Sequence, residues 1–130
     1  MIVVEKLEKT YPDLQRGAVC AVRGISFAAS PGQVFGLLGP NGAGKTTVLR
    51  MLSTMLRPTG GTATVAGFDV ETQAEEVRRQ IGFVSANTAS YDRMSAFEMV
   101  EFFGQLHGLA KDELTERSEI VFEQLQMNDF

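Results

Sequence analysis

The chain has 130 residues and a mass of 14.2 kDa, which is room for one domain rather than two. Hydrophobic residues make up 44% and charged residues 22%, ordinary globular usage that excludes long disorder. Twelve Lys+Arg against sixteen Asp+Glu leave a net charge of -4, so the basic excess of a nucleic-acid binder is missing and no nucleic-acid partner is expected. The single cysteine, Cys20, has no partner for an internal disulfide, which suits a reducing compartment. No apolar stretch reaches bilayer length, and Met1-Ile2-Val3-Val4-Glu5-Lys6 lacks the basic and apolar regions of a signal peptide. The chain is expected in the cytosol, meeting a membrane only through a partner.

Residues 2–10 alternate loosely around Ile2, Val4 and Leu7 and read as a first strand. A loop is expected over 12–17. A second strand follows over 19–29, with Val22, Ile25 and Phe27 as its buried set. Ser30-Pro31-Gly32 is turn chemistry, because Pro presets its φ and Gly tolerates a positive one. Residues 33–38, QVFGLL, form a short apolar run of the kind found in a strand covered on both faces. A helix is predicted over 45–57, with Val48, Met51, Leu52, Met55 and Leu56 at helical spacing and Pro58 ending it.

Thr59-Gly60-Gly61 turns the chain, and 62–68 is a strand candidate. Thr72-Gln73-Ala74-Glu75 fits a capping box before a short helix reaching about Arg79. Residues 81–84 read as a further strand. Ser95-Ala96-Phe97-Glu98 is a second capping box, flanked by Met94 and Met99 at the positions of a hydrophobic staple. That helix is predicted to run to about His107, with Gly108 as a left-handed stop. A last helix over 112–127 places Leu114, Val121 and Leu125 on one face. Residues 97–130 carry two basic and eight acidic side chains. A solvated helical face is the plain reading of that excess, and a docking surface for a basic partner is the alternative.

Gly39-Pro40-Asn41-Gly42-Ala43-Gly44-Lys45-Thr46 fits G-x-x-x-x-G-K-[ST] without a gap. A polyphosphate needs several converging N–H groups, and glycines let a backbone wrap that closely. The loop opens into the predicted helix, whose free amides and dipole favour an anion at that end. Amides of residues 41–47 are expected to converge on the phosphates. Lys45 brings a charge to the β- and γ-phosphates, the Thr46 hydroxyl is a hard ligand for Mg²⁺, and Thr47 is placed for the α-phosphate. At ordinary usage such a match arises by chance in a chain of this length about half a percent of the time. A fortuitous glycine-rich turn is therefore the weaker reading.

With GPNGAGKTT preceded by SPGQVFGLL, the sequence resembles the nucleotide-binding domain of ATP-binding cassette (ABC) transporters. The resemblance covers essentially the whole chain. Residues 21–27 match the strand before the family's PG turn, and Arg57-Pro58-Thr59-Gly60-Gly61-Thr62 resembles the turn after its Walker A helix. Ala66-Gly67-Phe68-Asp69-Val70 matches the following G-x-D, and Ser95 to Glu98 matches the opening of its helical subdomain. The run from Ile81 to Leu109 is similar to the sodium-exporting branch of bacterial ABC exporters.

The resemblance implies an α/β P-loop NTPase of ABC type. An N-terminal antiparallel β subdomain and the P-loop strand–helix core would occupy 1–90, and the start of the helical subdomain 91–130. It implies ATP and Mg²⁺ as cofactors, held by Gly39, Pro40, Asn41, Gly42, Ala43, Gly44, Lys45, Thr46 and Thr47, with Thr46 on the metal. Tyr11 sits where the family places an aromatic that stacks on adenine; a strand-terminal ring packed on the core edge is the alternative. The implied partners are a transmembrane permease subunit and a second nucleotide-binding domain. The implied location is peripheral, on the cytoplasmic face of the cell membrane.

The resemblance also has gaps. The glutamine that the family places after residues 81–84 corresponds to Ala86, whose methyl offers no oxygen to Mg²⁺ or water. The neighbouring Asn87 is either its substitute or a polar loop residue. The family's signature motif, Walker B aspartate, catalytic glutamate and switch histidine have no match in residues 1–130. Asp69 follows an apolar run, but Gly67 within it favours a turn residue over a metal ligand. His107 falls at a predicted helix end. No general base is recognised, so the 130-residue chain is expected to bind ATP without hydrolysing it. Without the Walker B strand that the family places beside the P-loop strand, an edge and an apolar face would be exposed, and the chain is expected to be marginally stable or self-associating. The complete form is expected to couple hydrolysis to export, possibly of sodium ions. A truncated non-catalytic nucleotide-binding fragment and a non-transport ABC ATPase are the alternatives.

Overall fold

The structure is a computed structural model describing residues 1–15, 17–85 and 93–127. Strand β1 (Ile2–Asp13) pairs antiparallel with β2 (Gly17–Ala29) on one side and β3 (Gly60–Val65) on the other. A two-residue β4 (Phe68–Asp69) completes a sheet of order β2-β1-β3-β4. The hairpin is tighter than the loop expected over 12–17, since β1 extends to Asp13 and β2 begins at Gly17.

β1 does not alternate regularly, and the irregularity lets its sequence fold. The register slips between Val4 and Leu7 against β2 and between Glu5 and Glu8 against β3, and Lys6 takes a left-handed φ of 47°. A bulge of this kind adds a residue to one strand. Val4 and Leu7, three apart, can then both be buried, where strict alternation from Val4 would turn Lys6 and Glu8 inward. Gly61 faces this bulge. Its φ is 73°, and a Cβ there would collide with the Lys6 carbonyl oxygen.

Helix α1 (Lys45–Leu52) buries Val48, Met51 and Leu52. With Val4, Leu7, Val22, Ala63, Val65, Val70 and Val77 they form the core. Of the set expected on β2, Val22 is buried while Ile25 and Phe27 pack partly against that cluster. α1 is shorter than the predicted 45–57. Ser53 caps its end, Thr54 turns left-handed at φ 63°, and Thr54 Oγ1 accepts from Arg78 Nη1 at 2.9 Å. Met55 is exposed, and Pro58 lies beyond a stop already made by hydroxyl residues that compete with the helix.

The strand expected over 62–68 is instead a hairpin. Ala66 and Gly67 both have positive φ (52° and 90°) and turn β3 into β4, pairing Val65 with Phe68. The capping box expected at Thr72–Glu75 does not form. Helix α2 (Ala74–Gln80) has Gln73 as its N-cap with no side-chain cap bond. The Thr72 hydroxyl donates to Asp69 Oδ1, which also accepts from the amides of Glu71 and Thr72. A charged carboxylate accepts more strongly than a hydroxyl and takes these donors first. The Thr72 amide leads in holding the Asp69 carboxyl below its usual range. Asp69, expected as a turn residue, instead ends the short strand β4, paired with Thr64, and its carboxylate holds the turn that follows.

Residues 33–38 and 81–84 lie outside the sheet, contrary to the strands expected there. Val34, Leu38 and Val84 are almost wholly exposed. Leu37 and Ile81 touch the core, and Phe35 stacks on Phe27 at 4.9 Å between centroids. The physical reason is that an apolar run becomes a central strand only where neighbours complete its ladder. Among the described residues, none is placed to do so.

The chain divides into two compact units, Met1–Val84 and Ser85–Phe130. The border proposed at residue 90 falls among residues outside those described, as do Ala86 and Asn87. The second unit holds α3 (Ala96–Leu106) and α4 (Lys111–Gln124). The Ser95–Glu98 capping box is complete: Ser95 Oγ accepts from the Glu98 amide, and the Glu98 carboxylate accepts from the Ser95 amide. His107 caps the helix end and Gly108 follows at φ 82°. The helices meet at Gly104, where a Cβ would collide with the Leu114 side chain. Leu114 is buried, whereas Val121 and Leu125, expected on the same face, are exposed. Two helices alone cover only a narrow line of each other's surface.

Candidate nucleotide-phosphate site

The loop over residues 39–44 gets its shape from glycines at positive φ. Gly42 and Gly44 stand at 84° and 87°. Gly44 is also the N-cap of α1, and a Cβ on it would collide with the carbonyl oxygen of Ala21 on β2. The loop therefore lies directly against the sheet at this point, and only glycine meets both the angle and the space.

The start of α1 is left open. Gly44 has no side chain to cap it, and the first turn contains no acidic residue. The first i→i−4 bond of the helix is Val48 N–H to Gly44 O, at 2.9 Å. The amides of Lys45, Thr46 and Thr47 precede it, as the first amides of any helix do. Gly44, Lys45, Thr46 and Thr47 line one cavity of about 230 Å³ with Asn41, Gly42, Ala43 and Ala21. Residues 41–47 thus all line this cavity, and the Ala43 amide donates within the loop, to Pro40 O at 3.2 Å.

Lys45 reaches back across the loop. Its ammonium donates to Gly39 O at 2.6 Å and to Pro40 O at 2.7 Å. These two residues do not line the cavity; they hold the lysine that does. Their role as backbone acceptors left no signal in side-chain chemistry, and neither did Ala21 as a wall. The donor set is cationic and N–H rich, which fits a polyphosphate. Thr46 and Thr47 both bring a hydroxyl to the lining. Among the described residues no group of three or more His, Cys, Asp or Glu is placed to hold a metal alone.

Tyr11 is not part of the cavity lining. It sits near the end of β1 opposite Val19, two residues before Ala21 on β2, and is 36% exposed. The Lys9 ammonium lies over its ring, 5.3 Å from the centroid.

A glycine-rich loop between the sheet and an uncapped helix, with a lysine folded over it, defines a P-loop nucleotide-binding protein. Residues 22–130 match the ABC transporter family, and the chain belongs to that family. Among curated relatives, it is 40% identical to the ABC transporter ATP-binding protein NatA of Bacillus subtilis, over all of this chain and 53% of the relative. It is also 40% identical to the doxorubicin resistance ATP-binding protein DrrA of Mycobacterium tuberculosis, over 97% of this chain and 37% of that protein. The chain thus spans about half the length, or less, of these relatives. Its fold matches the dimeric bacterial ABC transporter cassette MJ0796 with a TM-score of 0.79 and 22% identity, covering 95% of this chain and 56% of the other. A second structure of MJ0796, bound to ADP and Pi, matches with a TM-score of 0.76 and 23% identity, over the same shares. Among the described residues no helix is long and apolar enough to cross a membrane.

Proposed function

We propose that this chain holds the triphosphate of Mg·ATP for an ABC transporter ATP-binding subunit. The observation that carries the reading is the uncapped start of α1 beneath Lys45, inside the cavity lined by residues 41–47. The α1 amides and the Lys45 ammonium bind the phosphates, and Lys45 exchanges or shares its bonds to Gly39 O and Pro40 O as an anion enters. Thr46 ligates Mg²⁺, which neutralises phosphate charge when bound. Thr47 lies beside it for the α-phosphate. Tyr11 stacks on the adenine.

In the complete protein we infer that two such cassettes act as a dimer on the cytoplasmic side of a permease and that ATP hydrolysis drives export. Sodium is the cargo implied by the sequence resemblance. A second reading has a specific observation behind it: relatives named for doxorubicin, daunorubicin and linearmycin resistance favour an organic, amphiphilic cargo. Transport by the complete protein in vesicles, with sodium and doxorubicin as alternative cargoes, separates the two.

The site is tested by calorimetric titration of the chain with Mg·ATP and with inorganic tripolyphosphate. Saturable binding of both is expected, with a loss of at least about tenfold in Lys45→Ala, as removal of a charge-assisted contact predicts. Unchanged tripolyphosphate affinity in Lys45→Ala would overturn the site. Hydrolysis by residues 1–130 is expected to stay at background, and robust turnover that depends on Lys45 would contradict the assignment of binding without catalysis.

A further inference from the structure

We propose that Lys9 is a positioning residue for the nucleobase: it covers one face of Tyr11 and leaves the other to stack on a purine. The proposal rests on the reading of Tyr11 given above. Lys9 and Tyr11 are two apart on β1, and the Lys9 ammonium stands 5.3 Å from the ring centroid. The ammonium is anchored as well, donating to Arg57 O at 2.7 Å, and the lysine is half-buried. Two further bonds clamp the same stretch of β1 to the same turn. The Thr10 amide donates to Thr59 Oγ1 at 3.0 Å, and the Thr59 amide donates to Glu8 O at 2.9 Å.

That turn follows the P-loop helix in the chain. β1 at Tyr11 is also tied to β2 at Val19, next to the Cys20 and Ala21 that flank the loop. Lys9 thus holds the ring and β2 holds the Tyr11 backbone, each leading back to an element of the phosphate site. A cation over one face does two things. It excludes a base from that face, and it draws electron density from the ring, which favours stacking of an electron-rich purine on the other.

The test measures the ratio of Mg·ATP to Mg·tripolyphosphate affinity, which isolates the part of binding due to the nucleoside. Lys9→Met is expected to lower ATP affinity by about two- to fivefold, the span of an exposed cation–π contact, with tripolyphosphate affinity unchanged. Lys9→Arg should restore it. Tyr11→Ala should lower the ratio further, and in that background Lys9→Met should have no additional effect on it. A Lys9→Met variant that leaves ATP affinity unchanged, weakens both ligands alike, or still lowers the ratio in Tyr11→Ala overturns the proposal while the role of Tyr11 stands. A ratio that Tyr11→Ala does not alter removes the stacking role and this proposal with it. Loss of the phosphate site itself is reported separately, by tripolyphosphate and Lys45→Ala.

Discussion

Gly44 meets two demands that no other residue meets together. It takes a φ of 87°, and it brings the loop against the Ala21 carbonyl at a distance that leaves no space for a methyl group. Gly44→Ala is therefore expected to cost about 1–3 kcal/mol of stability from the backbone angle alone, and more from the collision. It should also weaken Mg·ATP binding, because the loop has to move off β2 and the α1 amides move with it. Thermal melting and nucleotide titration of the same variant check both effects. The loop's identity was open to sequence reading because the chemistry of a phosphate cradle restricts four positions of eight. The bonds from Lys45 to Gly39 O and Pro40 O were not, since a backbone carbonyl looks the same at every residue.

The two capping boxes read from sequence had opposite outcomes, and a neighbour explains the difference. The Ser95 hydroxyl donates to the box's own Glu98 carboxylate, and the two residues satisfy each other's amides. Thr72 has Asp69 three residues before it, and the carboxylate takes its hydroxyl. Ser95→Ala is expected to destabilise α3 by about 1 kcal/mol, read as lost helicity and a lower melting temperature. The box also makes α3 sensitive to acid. The Ser95 amide, followed by its hydroxyl, holds the Glu98 carboxyl below its ordinary range. A depressed folded-state pKa means the stabilisation is fully present above the unfolded value and is lost as pH falls through the folded one. Circular dichroism should show α3 losing helicity as pH falls below the ordinary glutamate range, and Glu98→Gln should flatten that dependence.

At the scale of the molecule, the core of the first unit is built by α1 packing with residues from all three long strands. Leu7 and Met51 are fully buried within it. Leu7→Ala and Met51→Ala are each expected to cost about 2–5 kcal/mol in denaturant unfolding. The same unit leaves Val34, Leu38 and Val84 in solvent, on runs whose composition belongs in a sheet interior. The 130-residue chain on its own is accordingly expected to self-associate with rising concentration. Sedimentation velocity should show this, and Val34→Lys with Leu38→Lys should shift the distribution towards monomer. A distribution independent of concentration would count against it. These two runs were the least reliable part of the sequence reading, because hydrophobicity reports that a segment wants covering but not what covers it.

The sequence alone determined the phosphate loop, the helix behind it, the α3 cap and the family. Each rests on a short stretch whose backbone geometry and chemistry are local. Tertiary structure alone decided that β1 bulges at Lys6, that α1 stops at Leu52, and that the Lys9 ammonium lies over the Tyr11 ring while donating to Arg57 O. Each involves a group distant in sequence: Gly61 against the Lys6 bulge, Arg78 on Thr54, and Arg57 O for Lys9. Such contacts exist only once the elements pack together, so no local stretch of sequence announces them.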